Sequence, residues 1–172
     1  MEGLRRSERK KQSIDLSIKA TWLGISKMYN LLGQPYDISH SIGFVLLNID
    51  PIDGTPATKI APLMGMEARS LTRMLKSFEE KGLIVRIPDQ HDKRKVIIKL
   101  TEFGQAKREM SKQTVKVFQR RVEEKVSPDE LGVFFHVMEQ INDVIKDPKR
   151  QMFEEIRDRL KEFGITEDKL NK

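Results

Sequence analysis

Cysteine is missing from the sequence altogether, which excludes disulfide frameworks, thiolate metal sites and thiol redox switching. Aromatic residues are scarce, with one tryptophan and two tyrosines in 172 residues, so each large ring carries unusual weight. No apolar run approaches the roughly 20 residues of a membrane span, and residues 1–13 lack the apolar centre of a signal peptide. These features predict a cytoplasmic protein with no membrane partner. The three histidines, His40, His91 and His136, lie far apart, and neither a His-Glu-x-x-His pattern nor a glycine-rich phosphate loop is present. His91 between Asp89 and Asp92 has metal-binding chemistry, but a solvated loop is the simpler account. No catalytic residue, metal site or cofactor is expected.

What the chain does contain is charge arranged by region. Residues 55–99 hold 10 Lys/Arg against 5 Asp/Glu, net +5, whereas residues 127–172 hold 8 against 11, net −3. A basic centre with an acidic tail points to a polyanion facing the centre alone. An ordinary solvated surface gives the same sums, so charge by itself does not decide. The basic opening, Arg5-Arg6-Ser7-Glu8-Arg9-Lys10-Lys11, is too polar to fold alone and reads as a flexible arm or a frayed end.

Periodicity supplies the elements. Ile14, Ile18, Trp22, Ile25, Tyr29 and Leu32 predict an amphipathic helix over 14–33, ended by Gly33, Gln34 and Pro35. A more apolar helix follows from Ser39 or His40 to about Ile49, then a turn at 50–54. Thr55 as N-cap with Pro56 at the first helical position predicts a short helix to about Gly65, with Ile60, Ala61, Leu63 and Met64 inward. Residues 68–81 form the next helix, anchored by Leu71, Leu75 and Phe78 and stopped by Gly82. Strands are expected over 83–87 and 95–100, joined by a loop holding a histidine, three basic residues and two aspartates. Thr101 caps a long helix to about Lys125, with Val115, Phe118 and Val122 inward. Ser127-Pro128-Asp129-Glu130 opens another as a capping box, and a last helix follows Pro148.

Two short helices around a glycine, then a charged hairpin, read as a winged helix-turn-helix. The fold class is therefore mainly α with a small β-hairpin wing. Its expected divisions are a flexible basic terminus (1–13), an N-terminal dimerisation helix with a connecting helix (14–50), the winged module (51–101), C-terminal dimerisation helices (102–163) and a frayed tail (164–172). The terminal helices carry more apolar stripe than a module of about fifty residues can cover. A two-fold homodimer accounts for the excess, and a monomer whose helices wrap the module is the alternative.

At this level the chain resembles the MarR family of bacterial winged helix-turn-helix regulators. The resemblance rests on Leu71-Thr72-Arg73-Met74-Leu75, on Phe78-Glu79-Glu80-Lys81-Gly82-Leu83-Ile84, on Asp89, Asp92 and Arg94 in the wing, and on Leu100-Thr101-Glu102-Phe103-Gly104. His91 departs from it, standing where the family often has arginine, which shifts the expected wing contact to Lys93 or Arg94. The family implies a dimer on an inverted repeat in duplex DNA, most simply a repressor released by a small lipophilic or aromatic ligand, often an anion. Activation stays open because its direction depends on operator placement.

Arg69, Ser70, Thr72, Arg73 and Lys76 are the exposed candidates on the reading helix, where residues near its start meet major-groove base edges. Arg69 is the expected base reader, as a bidentate donor to guanine. Ser70 and Thr72 suit phosphates. Arg73 is either a phosphate contact or an anchor for the wing. Asp89 and Asp92 are expected to hold the loop in shape. Trp22, Tyr29, His40 and Phe44 are expected around a ligand pocket. The rival reading is a winged-helix interaction module, or dimeric scaffold, that binds a protein without reading DNA.

Overall fold

The structure is a computed structural model and describes residues 13–63, 65, 67–89, 95–146 and 151–165. The chain divides into two compact units, Met1–Gln119 and Arg120–Lys172. In the first, helix α1 (Ile14–Gly33) and a 3-10 turn (Gln34–Tyr36) precede α2 (His40–Leu47). Ser39 caps α2 by accepting the Ile42 amide at 3.3 Å. The turn after α2 is organised by Asp50, whose Oδ1 accepts the amides of Ile52 and Asp53, each at 2.8 Å. These bonds hold the Asp50 carboxyl below its usual pKa.

Thr55 and Pro56 do not begin a helix. They form a short strand, β1 (Thr55–Pro56), and helix α3 (Ala57–Leu63) starts after them. β1 pairs antiparallel with β3 (Val96–Leu100), matching Thr55 to Ile98. The Thr55 hydroxyl accepts the Asp50 amide at 2.9 Å, so it secures the preceding turn rather than a helix start. The wing is accordingly part of a three-stranded sheet in the order β1-β3-β2, with β2 at Ile84–Pro88. Leu63, expected inward, is exposed, while Ile60 and Ala61 are buried as expected. Met64 lies outside the described residues.

Helix α4 (Ala68–Glu80) packs Leu71, Leu75 and Phe78 into one core with Val45, Leu46, Ile49, Ile60, Ile84 and Ile98. Glu67 contributes no side-chain cap at its start. Its end closes on Gly82, at φ 66°, with the Leu83 amide bonded to Phe78 O and the Gly82 amide to Glu79 O, both at 2.9 Å. That pair of bonds is the Schellman arrangement, and only glycine takes the left-handed position without strain. Strand β2 leaves immediately from this closure and pairs with β3 from Ile84↔Leu100 to Pro88↔Val96. Helix α5 (Glu102–Glu123) continues from β3 and half-buries Val115, Phe118 and Val122.

The second unit holds the end of α5, α6 (Pro128–Lys146) and α7 (Gln151–Glu162). The capping box forms as expected: the Glu130 amide meets Ser127 Oγ at 3.3 Å, and the Ser127 amide meets Glu130 Oε2 at 2.9 Å. Hydrogen bonds from Ser127 hold the Glu130 carboxyl below its ordinary pKa. Gly164 and Ile165, assigned to a frayed tail by the sequence, instead close α7, their amides bonding Lys161 O and Leu160 O at 2.9 Å. Neither α6 nor α7 has a buried residue among those described. No helix among the described residues is long and apolar enough to cross a membrane.

Candidate nucleic-acid interface

The amphipathic pattern of α4 determines what the helix shows to solvent. Leu71, Leu75 and Phe78 are at most 3% exposed, so the opposite side is presented outward. Arg69, Ser70, Thr72, Arg73 and Lys76 are all exposed on α4, as the sequence predicts. Lys76 reaches Glu80 at 3.9 Å, a solvated pair too long and too exposed to hold the ammonium firmly. Among the described residues, Arg69 and Arg73 have no acidic partner. Among the described residues, the outward face of α4 therefore carries three cations, of which Lys76 alone has an acidic partner.

Sequence reasoning missed Arg86. In β2 it shares a face with Ile84, which alternation alone makes legible, and its side chain turns toward α4. Arg86 Nε lies 3.2 Å from Glu79 Oε2, without the alignment of a hydrogen bond, and its Nη2 donates to Thr72 O at 3.5 Å. Of the two acids in the last α4 turn, Glu79 is thus engaged by the sheet, while Glu80 stands near Lys76.

A second joint fixes the wing root. Thr101 Oγ1 donates to Gly82 O at 2.6 Å and accepts the Gly104 amide at 2.9 Å, while the Thr101 amide donates to Leu83 O at 3.1 Å. One residue thereby joins the α4 exit, the start of β2 and the start of α5. A Cβ on Gly104 would stand 1.9 Å from Leu83 O, so this close approach excludes any side chain. The Leu-Thr-Glu-Phe-Gly run is the covalent expression of that joint.

At the far end of the hairpin, the Asp89 amide donates to Lys95 O at 2.9 Å. His91, Asp92, Lys93 and Arg94, on which the expected loop bracing and groove contact rest, lie outside the described residues.

Away from α4, an open cavity of about 380 Å³, counting its mouth, is lined by residues of α1, α2 and α5. Tyr29, His40 and Phe44 line it as expected, and Trp22 does not. Trp22 instead meets His40 edge-on, ring centroids 5.0 Å apart, while Tyr29 stacks on His40 at 5.4 Å. His40 Nδ1 shares a hydrogen bond with Ser26 Oγ at 2.9 Å, and its backbone amide donates to Asn30 Oδ1 at 2.8 Å. Burial lowers the His40 pKa and raises that of Tyr29, so both side chains are neutral at pH 7. The sequence missed Ser111 and Thr114, which line the cavity from α5 and whose hydroxyls donate to Lys107 O and Met110 O.

A short helix, a glycine turn, an exposed basic helix and a sheet wing define a winged helix-turn-helix protein. Residues 38–96 match the MarR family model. Over 95 residues the chain is 32% identical to the HTH-type transcriptional regulator SarZ of Staphylococcus aureus, covering 55% of this chain and 64% of that relative's length. The fold is similar to the S. aureus MepR–DNA complex, with a TM-score of 0.73 and 18% identity over 78% of this chain and 99% of the other. It is also similar to the transcriptional repressor CouR bound to a DNA duplex, with a TM-score of 0.66 and 24% identity over 76% and 92% of the two chains. The chain is therefore similar to the MarR family over residues 38–96, the span of the winged module and the helix before it.

Proposed function

We propose that the protein is a dimeric, sequence-specific, double-stranded DNA-binding transcriptional regulator, and that it acts as a repressor released by a small ligand. The observation that carries the reading is the outward face of α4, where Arg69, Arg73 and Lys76 stand exposed on a helix held down by three buried anchors. Arg69 reads a base, Ser70, Thr72 and Lys76 meet phosphates, and Arg73 meets a phosphate beside the wing root. Lys93 and Arg94 are assigned the minor-groove contact. Both MepR and CouR were solved with DNA, which accords with this assignment.

Dimerisation is supported by apolar side chains that a single chain leaves in water. Leu16, Trp22 and Leu31 on α1, and Phe134, Phe135 and Ile145 on α6, are all at least half exposed. Fully burying such a side chain is worth about 1.5–3 kcal/mol, and the part of that gain still unrealised is recovered by helices 14–50 and 102–163 pairing with those of a second copy. Ligand release is supported by the cavity, whose walls belong to helices on either side of the connection to the winged module. A ligand that binds better to the DNA-incompetent arrangement shifts the population away from DNA.

Fluorescence anisotropy of labelled duplex DNA at several salt concentrations tests the reading. Affinity is expected to fall linearly on logarithmic axes, with a slope of about −0.9 per phosphate contact. Negligible affinity at every salt concentration rejects DNA binding and leaves the interaction-module reading.

A further inference from the structure

The outer face of the wing sheet departs from the usual alternation. Strands β2 and β3 turn Ile84, Ile98 and Leu100 into the core, which leaves Val85, Ile87, Ile97 and Lys99 on the opposite face, paired as Val85↔Lys99 and Ile87↔Ile97. An antiparallel sheet with one solvated face ordinarily puts polar residues there. Here three of the four are apolar and β-branched, and Val85 and Ile87 are 42% and 40% exposed. The 50–54 turn extends the patch. An added Cβ on Gly54 would stand 2.7 Å from Lys99 Cγ and 2.9 Å from Ile97 Cγ2, so the turn lies against this face. Ile52, two residues earlier, is 81% exposed, on a turn that the two Asp50 hydrogen bonds hold in shape.

Building on the DNA-binding reading, we propose that this face meets the same face of a second copy of the chain from a neighbouring dimer, so that dimers bind cooperatively to adjacent sites on one duplex.

Three observations select that occupant. The first is position. The patch lies within residues 52–99, outside the helices 14–50 and 102–163 assigned to the dimer, and the other face of its sheet shares a core with the anchors of α4. Neither the dimer contact nor the reading helix therefore covers it. The second is charge. Among the described residues Asp53 and Lys99 have no ion-pair partner, and a two-fold contact lets each meet the other on the facing copy. A polyanion is a poorer match, because Asp50 and Asp53 flank Ile52.

The third is size. Such a patch covers on the order of a few hundred Å², against the roughly 800 Å² per partner of a stable interface. It is too small to hold dimers together in dilute solution. A duplex with two sites raises the local concentration to about the millimolar range, where a weak contact takes effect. The rigid turn under Ile52 also limits the ordering cost of the contact.

Titration of duplexes carrying two copies of a selected binding site, with centres stepped through one helical turn, tests the proposal. At the best spacing the second dimer should bind about tenfold more tightly than the first, with the gain lost and regained over about 10.5 base pairs. Asp53→Lys and Lys99→Asp should each abolish the gain, and the double variant should restore it, because both partners of the pair are then reversed. Each is read as the ratio of second-site to first-site affinity, so altered attraction to DNA cancels. Independent filling of the two sites at every spacing overturns the proposal and leaves the DNA-binding reading standing. So does a gain that survives both Lys99→Asp and Ile87→Asp. If no duplex is bound, the DNA-binding reading fails, and sedimentation equilibrium without DNA at about millimolar protein decides the surface. Reversible association of dimers, weakened by Lys99→Asp and restored in the double variant, upholds the contact; its absence overturns it.

Discussion

Arg86 Nε lies 3.2 Å from Glu79 Oε2, tying strand β2 to the last turn of α4. The two side chains are 28% and 45% exposed, so water screens much of their attraction. A double-mutant cycle with Arg86→Gln and Glu79→Gln should give a coupling of about 0.5–1 kcal/mol in urea unfolding. A value well above that would mean that the pair carries a larger share of the wing joint than its exposure allows.

Gly104 and Gly132 should respond oppositely to the same substitution. Gly104→Ala places a methyl 1.9 Å from the Leu83 carbonyl and should destabilise the fold by about 2 kcal/mol or more, because backbone must move. Gly132, inside α6, has nothing within 4 Å of an added Cβ among the described residues. Gly132→Ala should raise stability by about 0.5–1 kcal/mol through helix propensity. Thermal unfolding of both variants checks the pair.

Burial gives His40 a pH signature. Its folded-state pKa is depressed below the ordinary 6.5, so the unfolded chain takes up a proton first as pH falls. This group therefore contributes a loss of stability on acidification from about pH 7 through 6.5, ending below its folded-state pKa. His40→Gln should flatten that part of the urea-midpoint profile, and a slope that persists unchanged would contradict the assignment.

These features differ in how far the sequence reveals them. The extent of α1, the Gly82 closure and the Ser127–Glu130 box are local: the residues that determine them lie within one or two turns. Thr55-Pro56 misled because a threonine before a proline suits a helix start as well as a strand. The choice is made by pairing with Ile98, far along the chain. Leu63 sits at the end of a seven-residue helix, too short for periodicity to assign a face. The exposed residues of α4 followed directly from its buried anchors. The contact of Arg86 with that helix, and the Ser111 and Thr114 wall of the cavity, arise only when separate elements meet.

The roles proposed for α4 divide recognition from attraction by position along the helix. Arg69→Ala should lower discrimination between preferred and random duplexes by about 1–3 kcal/mol. Lys76→Ala should weaken binding to both alike and reduce the salt slope by about one. Anisotropy titrations on the two duplexes distinguish these outcomes, and equal losses of discrimination in both variants would contradict the division of roles.

In the proposed function, the exposed basic face of α4 reads duplex sequence in a two-fold dimer. Selection of binding sites from a random duplex library, followed by sequencing, measures this most directly. The expected product is an imperfect inverted repeat whose half-sites lie about one helical turn, on the order of 34–36 Å, apart, and it should be lost with Arg69→Ala. Recovery of no enriched sequence, or of one unaffected by Arg69→Ala, would contradict it.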